Sequence, residues 1–348
     1  MRWQAQQLTT IDDGALPGLG RMAGLVRTVR TPEFAGVTFY EVHSRSALNR
    51  VPGGSPMPFE WTINPMRGCV HSCTYCFARK SHEYLEMDSG RDFDSRIVVK
   101  VNVADVVRRE VARPSWERRH VALGTNTDPY QRPVGRYRLM PGIIEALSRS
   151  GTPLSILTKG TLLRRDLPLL TAAAERVPVG VGVSLAILDP VLHEQFEPGT
   201  PTPRARLELI RAIREAGLRC SVMVAPVLPF LTDSAEQLDA IFGALAEAGA
   251  THVTVLALHL RPGTKEWFMT NLQRDRPDLV PRYRTLYGRG AYAGKEYRDA
   301  LHARVRPMLD RYRFGAGVDG GGPERWAHEL RVPGGPAAAE LTTEPALF

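Results

Sequence analysis

The chain has 348 residues, 43% of them hydrophobic and 24% charged, enough to fill one large core and too apolar for a disordered chain. No uninterrupted apolar stretch of roughly 18 residues occurs, and Met1-Arg2-Trp3-Gln4-Ala5 opens no signal peptide, so the expectation is a cytoplasmic protein with no membrane partner. The formal net charge is +8, from 45 Lys and Arg against 37 Asp and Glu; it suits an anionic partner such as nucleic acid, but no run of five like charges concentrates it, and a solvated surface accounts for it as well.

Residues 1–57 read as an N-terminal extension with turn signals at Asp12-Asp13-Gly14 and Pro52-Gly53-Gly54-Ser55-Pro56 and one strand pattern, Val37-Thr38-Phe39-Tyr40. Strand-like runs then recur at 59–64, 96–101, 119–124, 153–158, 177–185, 219–226 and 251–259. Helical periodicity lies between them at 103–112, 139–150, 161–175, 203–216 and 234–248, the last preceded by Thr232, Asp233 and Ser234 as candidate caps. Strand and helix alternating at this interval predict parallel βα units, closing into a barrel or a doubly wound sheet. Residues 262–314 read as a helical cap on a 58–261 barrel, and the Gly/Pro/Ala-rich stretch 315–348 as a disordered tail.

The chemistry is concentrated after the 59–64 strand. Cys69-Val-His-Ser-Cys73-Thr-Tyr-Cys76 sets three cysteines four and then three residues apart, and the chain has only one other, Cys220. Three thiolates on one tight loop can wrap three corners of a [4Fe-4S] cube and leave the fourth iron open to a ligand. A structural zinc would want a fourth donor, and Cys220 is far along the chain while His71 would close an awkwardly tight ring on the same loop. Disulfides suit a large chain with few cysteines poorly.

This spacing, with an aromatic residue before the third cysteine, resembles the radical S-adenosylmethionine (SAM) superfamily. Asn64-Pro65-Met66-Arg67-Gly68-Cys69, Thr127-Asp128-Pro129-Tyr130-Gln131 and Leu157-Thr158-Lys159 are similar to its spore photoproduct lyase-like (DNA repair photolyase-like) branch, and the whole chain to an actinobacterial group within it. The resemblance implies a partial (β/α)6 TIM-type barrel, in which the 96–101 strand is accessory. It also implies a [4Fe-4S] cluster on Cys69, Cys73 and Cys76, SAM held on the open iron, and an electron donor such as flavodoxin or ferredoxin. The adenosyl radical would abstract hydrogen from a nucleic-acid base; alternatives are a small metabolite or peptide as substrate, or a non-enzymatic nucleic-acid binder with a structural metal.

The same resemblance marks Tyr75 as an adenine contact through its backbone, Lys159 as the partner of the cofactor carboxylate, and Ser184 as a ribose or carboxylate contact. Gly124-Thr125-Asn126-Thr127-Asp128, small and polar at a strand's end, would meet the cofactor's amino group, the alternative being that Asp128, Tyr130 and Gln131 face substrate. Spore photoproduct lyases carry a further cysteine after the strand that here reads His120-Val-Ala-Leu-Gly124, and this chain has none there, which argues against spore photoproduct as the substrate. Tyr130 or Tyr137 is the candidate replacement hydrogen donor, and Cys220 reads as a core residue. The ending Glu344-Pro345-Ala346-Leu347-Phe348 resembles peptides that dock on the bacterial sliding clamp.

Overall fold

A computed structural model describes residues 24–52, 57 and 59–314, so the tail 315–348 with its clamp-like ending lies outside the described residues. Eleven strands form two sheets there: β1 (Leu25–Val29), β2 (Thr38–Val42), β3 (Leu48–Arg50), β4 (Trp61–Ile63), β5 (Met66–Arg67), β6 (Arg96–Lys100), β7 (Val121–Leu123), β8 (Leu154–Thr158), β9 (Val179–Ser184), β10 (Cys220–Val227) and β11 (His252–Ala257). The larger sheet runs β11-β10-β9-β8-β7-β4-β3. Its six strands from β4 to β11 are mutually parallel, and β3 is added antiparallel outside β4. With a helix or turn between successive strands, this is an incomplete TIM-type barrel, open between its first and last strands.

Register explains why the strands are rich in β-branched residues. Ile63, Leu123, Ile156, Val181 and Cys220 are paired in one row across five strands, and each is almost wholly buried. The row is a layer of core, and Cys220 is part of it, with its thiol pushed up to about 12 by burial. The smaller sheet is β1-β2-β6-β5, so the 96–101 strand belongs outside the barrel. Strand β1 and strand β3 escape a hydrophobicity reading because both are short edge strands with half-exposed side chains.

Two helices refine the sequence expectation. The predicted 161–175 helix divides into a 3-10 turn, Thr161–Asp166, and a helix, Leu167–Ala174, whose start is set by Pro168. Proline lacks an N–H and is tolerated in the first helical turn. At Ala235–Glu247 the cap is Ser234, which accepts from Gln237 N at 3.2 Å in a capping box. Thr232 and Asp233 instead accept from Leu228 N and Phe230 N in the loop before it. After β11 come helices Thr264–Asp275, Val280–Tyr287 and Lys295–Arg311. No helix among the described residues is long and apolar enough to cross a membrane.

Candidate active site

The cysteine loop does not follow β4 directly. The two-residue β5 first carries the chain into the smaller sheet against β6, and the loop then begins at Gly68, whose φ of +81° suits glycine. A Cβ there would lie 2.8 Å from both Ile97 Cδ1 and Phe93 O. Three sets of contacts hold the loop. Gln131, fully buried, donates to Gly68 O and accepts from Val70 N at 2.9 Å, while Thr127 donates to Gly68 O at 2.7 Å. Gln131 therefore faces the loop's backbone, a correction to its expected place toward substrate.

The second hold is Arg79, three residues past the last cysteine and fully buried. Its guanidinium donates twice to Cys73 O (3.1 and 2.9 Å), to Gly90 O (2.7 Å) and to Asp94 (2.9 and 3.0 Å), between the rings of Phe93 and Trp267. The third comes from outside the barrel strands: Thr264 Oγ1 donates to Cys76 O at 3.0 Å, Gly199 N to His71 O at 3.1 Å, and Thr74 N to Phe196 O at 3.0 Å. A Cβ on Gly199 would be 2.1 Å from Val70 O, so only glycine permits that approach.

Cys69, Cys73 and Cys76 are free thiols, the first two buried. Burial pushes all three up, Cys73 to about 12 despite Lys159 nearby. Among the described residues, no group of three or more His, Cys, Asp or Glu side chains is arranged to hold one metal ion. Three cysteines on one short loop can each take a different iron of a [4Fe-4S] cube and leave the fourth iron open. Two buried polar atoms of the loop, His71 Nε2 and Thr74 Oγ1, have no hydrogen-bond partner among the described residues, which leaves them available to a non-protein group. The residues fit the cluster.

Beside the loop stands a buried charge cluster. Tyr75 packs inside the site and its hydroxyl donates to Glu197 Oε1. Glu197 Oε2 pairs with Arg206 at 2.5 Å, both side chains wholly buried, and Arg206 donates on to Ser184 O at the end of β9 at 3.0 Å. Burial alone would raise the Glu197 carboxyl, but Arg206, Lys159 and the Tyr75 hydroxyl hold it at about 2. Lys159, at the end of β8, places its Nζ 5.8 Å from the Tyr75 ring centroid. Burial opposes its charge, and Cys73, Glu197 and Cys76 outweigh that, so it stays cationic. Sequence left Glu197 and Arg206 without a role; the structure makes them the link from Tyr75 to β9.

The Gly124–Asp128 turn serves the same rim. Gly124, at φ +95°, crosses Leu157 so closely that a Cβ would lie 1.9 Å from its carbonyl oxygen. Asn64, at the end of β4 and outside the predicted site, accepts from Thr125 Oγ1 (3.2 Å) and Asn126 N (3.0 Å), tying the turn to the strand that feeds the cysteine loop. Tyr130 is buried and donates to Asp166 at 2.9 Å, while Tyr137 donates to Glu41 of the smaller sheet at 3.1 Å. Thr125, Asn126, Lys159, Ser184 and the loop carrying Tyr75 thus gather at the C-terminal ends of β4, β7, β8 and β9, where barrel enzymes hold their active groups.

Asp128 is an organiser of that rim. It accepts from Thr158 Oγ1 (2.5 Å), Tyr130 N (2.8 Å) and Lys159 N (2.7 Å), and stands 3.4 Å from His71 Nδ1. Burial would raise its carboxyl, but His71, Thr158 and the Lys159 amide hold it at about 2. A carboxyl depressed on folding stabilises above its unfolded pKa, and that contribution is lost as pH falls through the folded value. The Asp128→Asn variant is expected to be less stable by about 2 kcal/mol at pH 7, with the gap to wild type closing between pH 4 and pH 2. Urea unfolding at pH 7, 4 and 3 measures it; a gap independent of pH would refute the assignment.

An incomplete parallel barrel with a three-thiolate loop after its first strand defines an iron–sulfur enzyme. The chain belongs to the radical SAM superfamily, whose family model matches residues 63–242, and is a radical SAM enzyme with a [4Fe-4S] cluster and SAM as cofactors. It is 62% identical over 318 residues, 90% of this chain and 93% of the relative, to an uncharacterised protein of Mycobacterium tuberculosis, and equally to one of Mycobacterium bovis. Among solved structures it is similar in fold to a spore photoproduct lyase double mutant with bound AdoMet and dinucleoside spore photoproduct: 18% identity, TM-score 0.59, 80% of each chain covered.

Proposed function

We propose that the enzyme modifies or repairs a nucleic-acid base, with hydrogen abstraction from that base as its radical step. When bound, the cluster and SAM supply the chemistry, reductive cleavage of the sulfonium to methionine and a 5′-deoxyadenosyl radical. The rest falls to the chain. Cys69, Cys73 and Cys76 would hold the cluster, kept in register by Gln131, Thr127 and Arg79. Lys159 offers a fixed cation for the cofactor carboxylate, Tyr75 a wall and backbone for its adenine, and Thr125 and Asn126 hydrogen-bonding groups at the neighbouring end of β7. Because Glu197 neutralises Arg206 and pins Tyr75, this surface is preorganised in a poorly solvated site, where water cannot quench a carbon radical.

The observation that carries the reading is Lys159 standing over Tyr75 beside Cys73, a cation and an aromatic wall at the loop that takes the cluster. The choice of a base as substrate is supported by the net charge of +8 and by a fold likeness to an enzyme seen with a dinucleoside. The missing cysteine after β7 argues for a product other than repaired spore photoproduct. A reductant is needed, and a flavodoxin or ferredoxin suits the task. The test is anaerobic reconstitution, then low-temperature paramagnetic resonance with and without SAM and an assay for 5′-deoxyadenosine. The expected result is a cluster signal that shifts with SAM and is lost in Cys73→Ala together with 5′-deoxyadenosine. A signal blind to SAM would overturn the reading; turnover stimulated by peptides and not by oligonucleotides would overturn the substrate class.

A further inference from the structure

We propose that Phe77, His259 and Tyr292, with Arg261 at their outer end, form a docking ladder for an unstacked base of a single-stranded nucleic acid. The proposal rests on the base-modifying reading above and adds where and in what state the base arrives. Three rings stand in series, the first pair tilted and the second stacked: Phe77 and His259 at 6.1 Å and 32°, His259 and Tyr292 at 5.8 Å and 26°. The Arg261 guanidinium lies 5.7 Å from the Phe77 centroid. A neutral stack with a cation at one end is the arrangement on which nucleobases stack irrespective of sequence.

Place in the fold singles this ladder out from an ordinary exposed aromatic. Phe77 directly follows Cys76, and His259 follows β11 by two residues, so their contact joins the cysteine loop to the end of the last parallel strand. Tyr292 is held there by a backbone bridge to His259. Phe77 keeps 40% of its surface in solvent, a large apolar ring left open beside a cluster ligand. A base laid on it would enter the site at the loop that carries the cofactors.

Charge agrees with that occupant. Lys80, Arg261 and Arg289 are exposed and have no ion-pair partner among the described residues, while Lys265 donates to Gly288 O and Gly290 O. Against them stand Glu83 and Glu266, and Glu266 is engaged with Gly263 N. The local excess is positive, as phosphates require, and Arg261, over the Phe77 ring and without an ion pair among the described residues, can shift its flat guanidinium onto the outer face of a base laid on that ring. His259 is held below its ordinary value by burial and by Arg261, so the ladder itself is uncharged at neutral pH. In a duplex both faces of a base are already stacked; a single strand, or a flipped nucleotide, is what can use one open ring face.

The test is fluorescence anisotropy of the anaerobically reconstituted full chain with fluorescein-labelled oligo-dT, oligo-U and a duplex of equal length, over a salt series. Wild type is expected to bind single strands more tightly than duplex, and the dT and U arms tell DNA from RNA. Phe77→Leu is expected to weaken single-strand binding by about 5- to 100-fold, the range for loss of one base–aromatic stack. Arg261→Gln is expected to reduce the salt slope by about one. Because Phe77 adjoins Cys76, Tyr292→Leu at the far end of the ladder serves as the second variant, expected to weaken binding with iron content unchanged. Single-strand binding that survives both Phe77→Leu and Tyr292→Leu overturns the ladder and leaves the base-modifying reading standing. Wild type that binds none of the three probes overturns both, and a preference for duplex overturns the single-stranded occupant.

Discussion

Arg206→Ala is expected to destabilise the protein by about 3–5 kcal/mol, measured by urea unfolding at pH 7. Arg206 and Glu197 are wholly buried, 2.5 Å apart, and removing one partner strands the other's charge where water cannot reach it. The carboxyl of Glu197, now held at about 2, would be driven upward, so the variant should take up a proton near neutrality that wild type does not. Since the folded pKa lies below the unfolded one, the pair's contribution is complete above about pH 4.5 and fades as pH falls toward 2; the variant and wild type should converge in acid. The double replacement Glu197→Leu with Arg206→Met should recover much of the stability, because apolar pairs of similar volume often equal a buried ion pair. It should not recover SAM affinity, since Tyr75 loses the acceptor of its hydroxyl. Recovery of both would show that the pair has only a packing role.

What was legible in the sequence follows the physics that each signal carries. The cysteine spacing is local, so the loop and its three candidate ligands could be read directly, and period-2 and period-3.6 patterns located the six barrel strands and most helices because each buries one face or both. Strand β6 carries the same Ile-Val-Val signal as a barrel strand; the resemblance set it apart as accessory, and its pairing with β2 and β5 shows where it goes, a long-range fact that composition does not contain. Arg79 and Arg206 were hidden for another reason. Arginine is normally solvated, and an arginine-rich chain invites reading every one as surface. Their burial depends on carboxylates and carbonyls that folding brings together, Asp94 and Cys73 O for one, Glu197 and Ser184 O for the other. Asn64 and Gln131 lay inside recognisable strings, yet their task, hydrogen bonding to loop backbone, has no spacing signature.

The two buried arginines divide the work around the loop. Arg206 acts through Glu197 on the side chain of Tyr75, the residue before the last cysteine, while Arg79 acts on the backbone of Cys73, the middle cysteine. A radical enzyme needs both kinds of restraint, because the cluster must be held and the adenosine beside it must not drift. Thr264, from the first helix after β11, adds a tie to Cys76 O, so a segment about 190 residues downstream also fixes the cysteine loop.

Arg79→Met is therefore expected to cost about 3–5 kcal/mol and, separately, to lower the iron retained after reconstitution. Methionine can fill the slot between Phe93 and Trp267, so the loss is mainly one of charge and hydrogen bonds: Cys73 O and Gly90 O lose their donors, and Asp94 loses its counter-ion. Burial already pushes the Asp94 carboxyl up to about 6 against the pull of Arg79. Without the arginine it rises further, and Asp94 will meet neutral pH protonated or pay a larger desolvation penalty. A carboxyl whose folded pKa is raised destabilises above that value, and the penalty disappears as pH falls below it. The stability gap between variant and wild type is accordingly widest in mild alkali and narrows as pH drops from 8 toward 6, the opposite trend to a loss of packing alone, which pH would leave unchanged. Unfolding at pH 8, 7 and 6 with iron counted at each pH decides the matter: a gap that is flat with pH, or full iron retention in the variant, would mean that Arg79 is filler between two rings and that Cys73 is held by the remainder of the loop.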